Sequence, residues 1–577
     1  MANSSNNVSE DNKKEDSDKG GDDTLGVWDS FALVTNNTTG PGMMGLPLLF
    51  KNAGVLPSCA AILFIGCCSG LCGTLLAETL SLIPGNSNFN KQIEFSSAFR
   101  LIIGGRWYKL SEALLMVMCM VQAISGLVET AQSLDSFFAS FVFNDTYAIA
   151  FTPFPAVVSW SASRCAVGEA LGACTPFAGE DGFVLTLGYV LMSIILFPVG
   201  RGNLKDTMLA QRVSFVALIV LLAQFYREFF NRGVLSDLYP LLDGSSQPPI
   251  PWWGSDTASL GGVVLFNYAY VITVPSWLNE KRTEVSVNRT IWGAIGFSSV
   301  LYVTFGIMAA VCFQSVPADI LTLLASNQSH ELTRICAALF GMLIMGLGVP
   351  VFCVIIKKAL ISNNTCSDDW ALWWGSVFPY VFAWLLYQGE FLTILLNWTG
   401  LLVNGLVAFV LPLVLTVEAI SLRRRCYHKV AQKHLHEQRA GRPLEREDSM
   451  VESSLYCAHP EGEPAEPDIV ALVKQEAVEL QEEVEAAEGK GVELGHVASE
   501  GDRLLGNTNN TSYAACTVDN CEILALLAQQ EADNTVNALP GFLLPFRSGI
   551  VNVVQLSFVV IIVWSIIQGV IALFPSN

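Results

Sequence analysis

Charged side chains are scarce. Asp, Glu, Lys and Arg make up 15% of the 577 residues, where soluble globular chains run near a quarter. Hydrophobic residues make up 52%, more than water-soluble cores can hide, so the bilayer is the expected solvent. The three or four soluble domains that the length alone suggests are excluded, and so are a disordered chain and a small disulfide scaffold. A basic face is lacking: the net charge of −20 has the wrong sign for a nucleic-acid partner. Histidine is lacking in every apolar run, since His330, His428, His434, His436, His459 and His496 all lie between runs. No GxxxxGK[ST] phosphate loop occurs, which leaves an ATP-driven pump unsupported. No His or carboxylate cluster provides a metal site or a catalytic centre at membrane depth, so an enzyme is not expected and no metal or organic cofactor is called for. A channel lacks its repeated filter or charged ring.

The acidity is local. Residues 447–546 hold 20 Asp/Glu and 3 Lys/Arg, and residues 1–29 hold 8 and 3, so the remainder is close to neutral. Four segments follow: an acidic cytosolic tail at 1–27, a ten-helix core at 28–420, an acidic cytosolic loop at 421–546, and a last helix with a short outer end at 547–577. Tails and loops of this composition are solvated and disordered. Gln475–Glu488 has the charge pattern of a short helix but too few apolar positions for a core.

Apolar runs of membrane-spanning length recur at 28–51, 55–83, 109–141, 182–200, 204–229, 257–279, 289–314, 333–358, 369–387, 390–420 and 548–574. The fold class is an all-α integral membrane protein of about eleven transmembrane helices, arranged as a 5+5 inverted repeat plus a final helix. No cleavable signal peptide precedes the first run, which acts as the insertion signal. Lys and Arg crowd alternate loops, among them Arg100, Arg106, Arg201, Lys281, Arg282, Lys357, Lys358 and Arg423–Arg425. That asymmetry puts the N-terminus and the 421–546 loop in the cytosol. The sequons at Asn144 and Asn327 then fall outside, as do Cys165 and Cys174, a candidate disulfide. Most other cysteines lie inside spans as small packing residues.

Two runs are unusual for anchors. Thr38–Pro47 (TTGPGMMGLP) holds three Gly and two Pro in ten residues. Proline removes a helix donor and glycine adds backbone freedom, and unwound backbone survives in a membrane only where it lines a cavity or is buried in protein. The sixth run repeats the interruption, with Gly261, Gly262 and then Pro275. Runs one and six are the first members of two five-helix halves, and paired interruptions point to an inverted-repeat secondary transporter. Broken helix ends offer amides to a carboxylate and carbonyls to a cation, which suits an amino-acid zwitterion. The plainer reading is a pair of kinked packing helices.

The stretch Ala32–Gly54 resembles the first helix of the amino acid/auxin permease family of transmembrane amino acid transporters: Asn36, Gly40, Gly42, Gly45, Leu46, Pro47 and Gly54 fit its pattern. Phe266–Glu280 is similar to the family's aromatic sixth helix, and Gly346–Pro350 to its Pro-containing eighth. Pro41 between the first glycines, Tyr270 where His is frequent, and the long loop before the last helix depart from the pattern. The resemblance implies a LeuT-like fold with broken helices 1 and 6, an amino-acid substrate in the lipid bilayer, and a site made by Thr39, Gly40, Gly42, Met43, Phe266, Asn267, Tyr268 and Tyr270. The aromatic residues there suggest a neutral substrate.

Sodium-coupled members of the family pair a helix-1 Asn with a hydroxyl on helix 8. Asn36 fits, but the helix-8 positions are Gly346 and Gly348. Proton-coupled alternating access is therefore expected, with Asn36 and Glu129 as coupling residues and Arg212 as a partner for Glu129; Glu78 is a second carboxylate, near the cytosolic edge. A sodium symporter and an amino-acid sensor of transporter fold remain alternatives. Glu500–Leu505 and Glu522–Leu527 fit acidic dileucine signals. A sorting adaptor reading Leu504 and Leu505 would place the protein on endosomal or vacuolar membranes as an alternative to the plasma membrane.

Overall fold

A computed structural model of the chain describes residues 25–421 and 547–573, together with Ala538, leaving aside 84–85, 87–88, 90–91, 144, 152–153, 162–175, 178–182, 203, 235–249, 258–259, 314, 317–319, 326–328, 364 and 388–399. The acidic tail, the acidic loop with its two dileucine patterns, and Cys165 and Cys174 lie outside the described residues.

The described chain is mainly helical, because backbone in lipid has to satisfy its hydrogen bonds internally. Seven helical stretches are long and apolar enough to cross a membrane: Val55–Ser81, Arg106–Val142, Thr207–Asn231, Leu260–Leu278, Val287–Cys312, Glu331–Ser362 and Val403–Ser421. The other expected spans meet helix as well. The first is divided into α1 (Val27–Thr38) and α2 (Leu46–Ala53), the fourth is the shorter Leu187–Arg201, the ninth runs in pieces from 368 to 385, and the last is Arg547–Leu573.

One part of the 142–186 loop differs from expectation. It carries a three-stranded antiparallel sheet of β1 (Thr146–Ala150), β2 (Ala156–Trp160) and β3 (Val184–Thr186) in the order β2-β1-β3. β3 takes residues assigned above to the fourth span, whose helix starts only at Leu187. Thr186 caps that helix by accepting the Tyr189 N–H at 3.1 Å. The sheet is fastened from below by Asp135, which is fully buried. Its Oδ1 accepts from Thr146 Oγ1 at 2.9 Å and from the Gly188 N–H at 2.8 Å, and its Oδ2 accepts from the Tyr387 hydroxyl at 2.8 Å. Replacing Asp135 by Ala strands three donors, a cost of about 3 kcal/mol or more. The purified variant is expected to melt well below the unaltered protein, and an equal Tm would contradict this role.

The two interrupted helices lie side by side in opposite directions. The second consists of Leu260–Asn267, a 3-10 turn at Ala269–Thr273, and Val274–Leu278. At the Lys/Arg-rich end, the Leu25 N–H donates to Glu280 O at 2.8 Å and the Arg282 N–H to Leu25 O at 3.0 Å. At the other end, the Gly254 N–H donates to Ala53 O at 2.7 Å, and Val55 and Leu56 donate to Pro251 O and Trp252 O, both at 3.0 Å. The entry of each broken helix is thus bound to the exit of the other, which is how two inverted halves meet. Gly54 makes the corner with φ +91°, and a Cβ there would sit 2.6 Å from Gly254 N.

Candidate substrate site

Both breaks are built alike. In the first, α1 ends at Thr38, a 3-10 turn covers Pro41–Gly45, and α2 resumes with Pro47 in its first turn. In the second, the 3-10 turn is followed by a helix with Pro275 in its first turn. Each proline stands where a helix start has no partner for an N–H in any case. The carbonyls released by the breaks are taken up by neighbours. The Tyr302 hydroxyl, on Val287–Cys312, donates to Thr38 O and reaches Asn267 O at 3.4 Å, so one side chain bridges both breaks. Ser69 Oγ donates to Tyr268 O at 2.8 Å.

The breaks meet at Gly42. A Cβ built there would lie 2.7 Å from both Asn267 Oδ1 and Phe266 Cδ1, so glycine is what lets the two helices approach. Beside this contact is a cavity of about 50 Å³. It is lined by Asn36, Asn37, Gly40 and Gly42 on the first broken helix and by Phe266, Asn267, Tyr270 and Thr273 on the second. Gln122 and Gly126 of helix Gly105–Phe137, with Ile344, Gly348 and Phe352 from 331–362, complete the wall. Among the described residues, no charged side chain lines it.

Of the expected site residues, Asn36, Gly40, Gly42, Phe266, Asn267 and Tyr270 are brought together here. Thr39, Met43 and Tyr268 are buried in the surrounding packing. Thr39 Oγ1 donates back to Thr35 O at 2.8 Å, and the Tyr268 hydroxyl turns away to Ser299 Oγ at 2.6 Å. Glu129 is not on the cavity wall. It follows Gly126 by three residues on the same helix, about 4.5 Å further along the axis, and accepts from Ser125 Oγ at 3.0 Å. Arg212 does not partner it, contrary to expectation. Arg212 binds Asp29 through Nε at 2.5 Å and Nη2 at 2.9 Å, because both lie near the Lys/Arg-rich end of their helices while Glu129 is toward the opposite end of its own. Glu78 is buried, and its Oε2 accepts from the Ala538 N–H at 3.2 Å.

The residue that sequence reasoning missed is Gln211, on Leu204–Asn231. Its Nε2 donates to Leu347 O at 2.9 Å. That leaves its Oε1 to accept from Asn36 Nδ2 at 3.0 Å, and its main-chain carbonyl accepts from the same nitrogen at 2.8 Å. The Asn36 amide is thereby fixed in direction, with Oδ1 as a buried acceptor that has no partner among the described residues. Asn267 is fixed likewise: its Nδ2 donates to Val263 O at 2.9 Å, and its Oδ1 has no partner among the described residues. A glutamine between Ala210 and Arg212 in the mainly apolar 204–229 run was the available signal, and its partners lie 175 and 136 residues away in the chain.

The Lys/Arg-rich mouth below the cavity is held by side chains as well. Glu94, buried, accepts from Ser276 Oγ at 2.5 Å and from Asn279 Nδ2 at 3.1 Å. Lys358 pairs with Glu280. Burial raises the Glu94 carboxyl above its ordinary value, against the hydrogen bonds and the Lys358 charge that lower it. Burial lowers the ammonium of Lys281, which sits 5.2 Å from the centre of the Phe89 ring.

The chain is similar to several known proteins. A curated relative, amino acid transporter AVT3A of Arabidopsis thaliana, is 21% identical over 403 residues, covering 68% of this chain and 81% of its own. Among solved structures, MhsT in complex with L-phenylalanine is 11% identical, with a TM-score of 0.45 over 79% of this chain and 100% of its own. MHP1, a nucleobase–cation symport-1 family transporter with bound bromovinylhydantoin, is 12% identical, with a TM-score of 0.43 over 70% of this chain and 80% of its own. Residues 23–236, which take in the first broken helix, Gln122, Glu129 and Gln211, match the family of transmembrane amino acid transporter proteins, the family to which the first-helix motif pointed.

Proposed function

We propose that the protein carries neutral amino acids across the membrane by alternating access, coupled to protons and not to sodium. The observation that carries this reading is the pair of fixed, unpartnered amide oxygens, Asn36 Oδ1 and Asn267 Oδ1, one on each broken helix and both on residues lining one cavity. Two acceptors with no donor suit an ammonium group, and an uncharged wall suits a neutral side chain. The cavity's 50 Å³ has room for only a few water-sized groups, at roughly 10–15 Å³ each. Substrate entry therefore has to part the broken helices, which are tied at both ends.

The choice of ion rests on Gln211, whose amide stands between Asn36 and the Leu347 carbonyl. Its Nε2 donor occupies the Leu347 carbonyl, an oxygen that a metal ion would otherwise take as a ligand. Glu129, beyond Gly126 on the side away from the Lys/Arg-rich mouth, is the proton-carrying candidate, since an ionisable group at membrane depth is expensive unless it is used. Uptake of a panel of neutral amino acids into proteoliposomes, with and without sodium and at two external pH values, tests this. Uptake is expected to persist without sodium and to rise as external pH falls, and Glu129→Gln should flatten the pH dependence more than it weakens apparent affinity. Strict sodium dependence would overturn the coupling.

The two dileucine patterns support an endosomal or vacuolar address reached through a sorting adaptor. Replacing Leu504 and Leu505 by Ala should move the protein to the plasma membrane. Unchanged localisation after both patterns are altered would leave them as loop composition.

A further inference from the structure

Gln211 has a consequence beyond the choice of ion. It is almost fully buried on a helix that, among the described residues, adds none to the cavity wall, and a leucine would fill the same space without the cost of burying an amide. Both polar atoms of its side chain are bonded, in a definite order: Nε2 donates to Leu347 O, Oε1 accepts from Asn36 Nδ2, and the chain of bonds ends at Asn36 Oδ1. Were the Asn36 amide turned over, its oxygen would face two oxygens of Gln211, and an N–H would be offered to the ligand. We propose that Gln211 is a positioning residue for substrate: it acts through Asn36 to present an acceptor, and so selects ligands that carry an ammonium group at that point. This rests on the reading that the cavity takes an amino acid. Supporting groups that fix the direction of a ligand-binding side chain commonly change affinity by 10–100-fold when removed, as around metal ligands.

The test is counterflow of L-alanine, L-leucine and L-phenylalanine in proteoliposomes of the full chain, with the same pH on both sides so that no proton gradient contributes. Gln211→Leu leaves the Asn36 amide held only by the main-chain carbonyl of residue 211 and should raise KM for the transported amino acids by about tenfold or more, with a smaller change in maximal rate. Gln211→Glu separates positioning from packing. A protonated carboxyl donates to Leu347 O and accepts from Asn36, reproducing both bonds, whereas a carboxylate has no donor for Leu347. On the two helices concerned, Asp29 and Arg212 pair with each other, while Lys205 and Asp206 stand in the first turn of Leu204–Asn231 and Arg227 and Glu228 near its other end, with Glu228 paired to Arg232. Lys357 and Lys358 on the third helix stand at its far end, with Lys358 paired to Glu280. The Gln211→Glu variant should therefore approach the KM of the unaltered protein at pH 5 and exceed it about tenfold at pH 8, each compared with the unaltered protein at the same pH.

An unchanged KM in Gln211→Leu overturns the proposal. So does a raised KM in Gln211→Glu that is the same at pH 5 and pH 8, because that marks a packing defect. If the unaltered protein shows no counterflow of any amino acid, the proposed function falls and the role of Gln211 falls with it; normal counterflow in the unaltered protein confines any failure to Gln211.

Discussion

Gly42→Val is expected to abolish transport while leaving the protein in the membrane. The Cβ alone would stand 2.7 Å from Asn267 Oδ1 and Phe266 Cδ1 and 2.9 Å from Asn267 Cγ, closer than carbon and oxygen tolerate. Asn267 cannot retreat without giving up its bond to Val263 O. Overpacking costs roughly 1–3 kcal/mol for a few added carbons, and here the strain falls on the surface where the two broken helices meet. Uptake should drop by a factor of about 100 or more, and Gly42→Ala should fall between. The outer anchors at Ala53–Leu56 and the inner anchors at Leu25 lie far from the substitution, so surface expression should stay near normal. Normal uptake by Gly42→Val would refute the close approach at Gly42.

Lys358→Ala is expected to open the Lys/Arg-rich mouth. In the closed arrangement one cation faces two carboxylates, Glu280 and Glu94, and both are buried. Removing one partner of a buried pair costs about 3–5 kcal/mol. Partial exposure of Lys358 brings that toward the lower figure, still a shift of about 100-fold in favour of the open form. A reporter cysteine at Thr273, on the cavity wall, should then react faster with a polar thiol reagent applied from that side. The double exchange Lys358→Glu with Glu280→Lys should restore slow labelling. The pH dependence has a definite sign. Burial raises the Glu94 carboxyl, so the closed mouth holds a proton more readily than an open, hydrated one. Closure is favoured by acid on that side, and this contribution is lost as pH rises through the raised value. Labelling that is indifferent to the Lys358 substitution would remove the latch from the account.

Which parts of this arrangement could be read from the sequence follows from how far each interaction reaches along the chain. The breaks were legible because they are local: Gly40, Pro41, Gly42 and Pro47 fall within one short run, as does Pro275 in the other, and each helix stops and resumes where its prolines allow. The spans were legible because a membrane demands a length. β1 was not, since Thr-Tyr-Ala-Ile-Ala buries Thr146, Ala148 and Ala150 by alternation over too few residues to stand apart from a loop. Nothing near Asp135 in the chain announces its bond to Tyr387. Arg212 was assigned the wrong carboxylate because composition does not say how deep along neighbouring helices two charges lie. Gln211 is the sharpest case. An amide is an ordinary residue at a helix surface, and only the folded contact with Asn36 and Leu347 gives it a part in the site.

The central claim is that one cavity, between the two breaks, takes the ammonium group of an amino acid. The most direct measurement is an experimental structure of the protein with a transported neutral amino acid bound. The account predicts an ammonium nitrogen within about 2.7–3.2 Å of both Asn36 Oδ1 and Asn267 Oδ1, with the Gln211 bonds to Asn36 and Leu347 intact. An amino acid bound elsewhere, or in this cavity with its ammonium turned away from both oxygens, would contradict it.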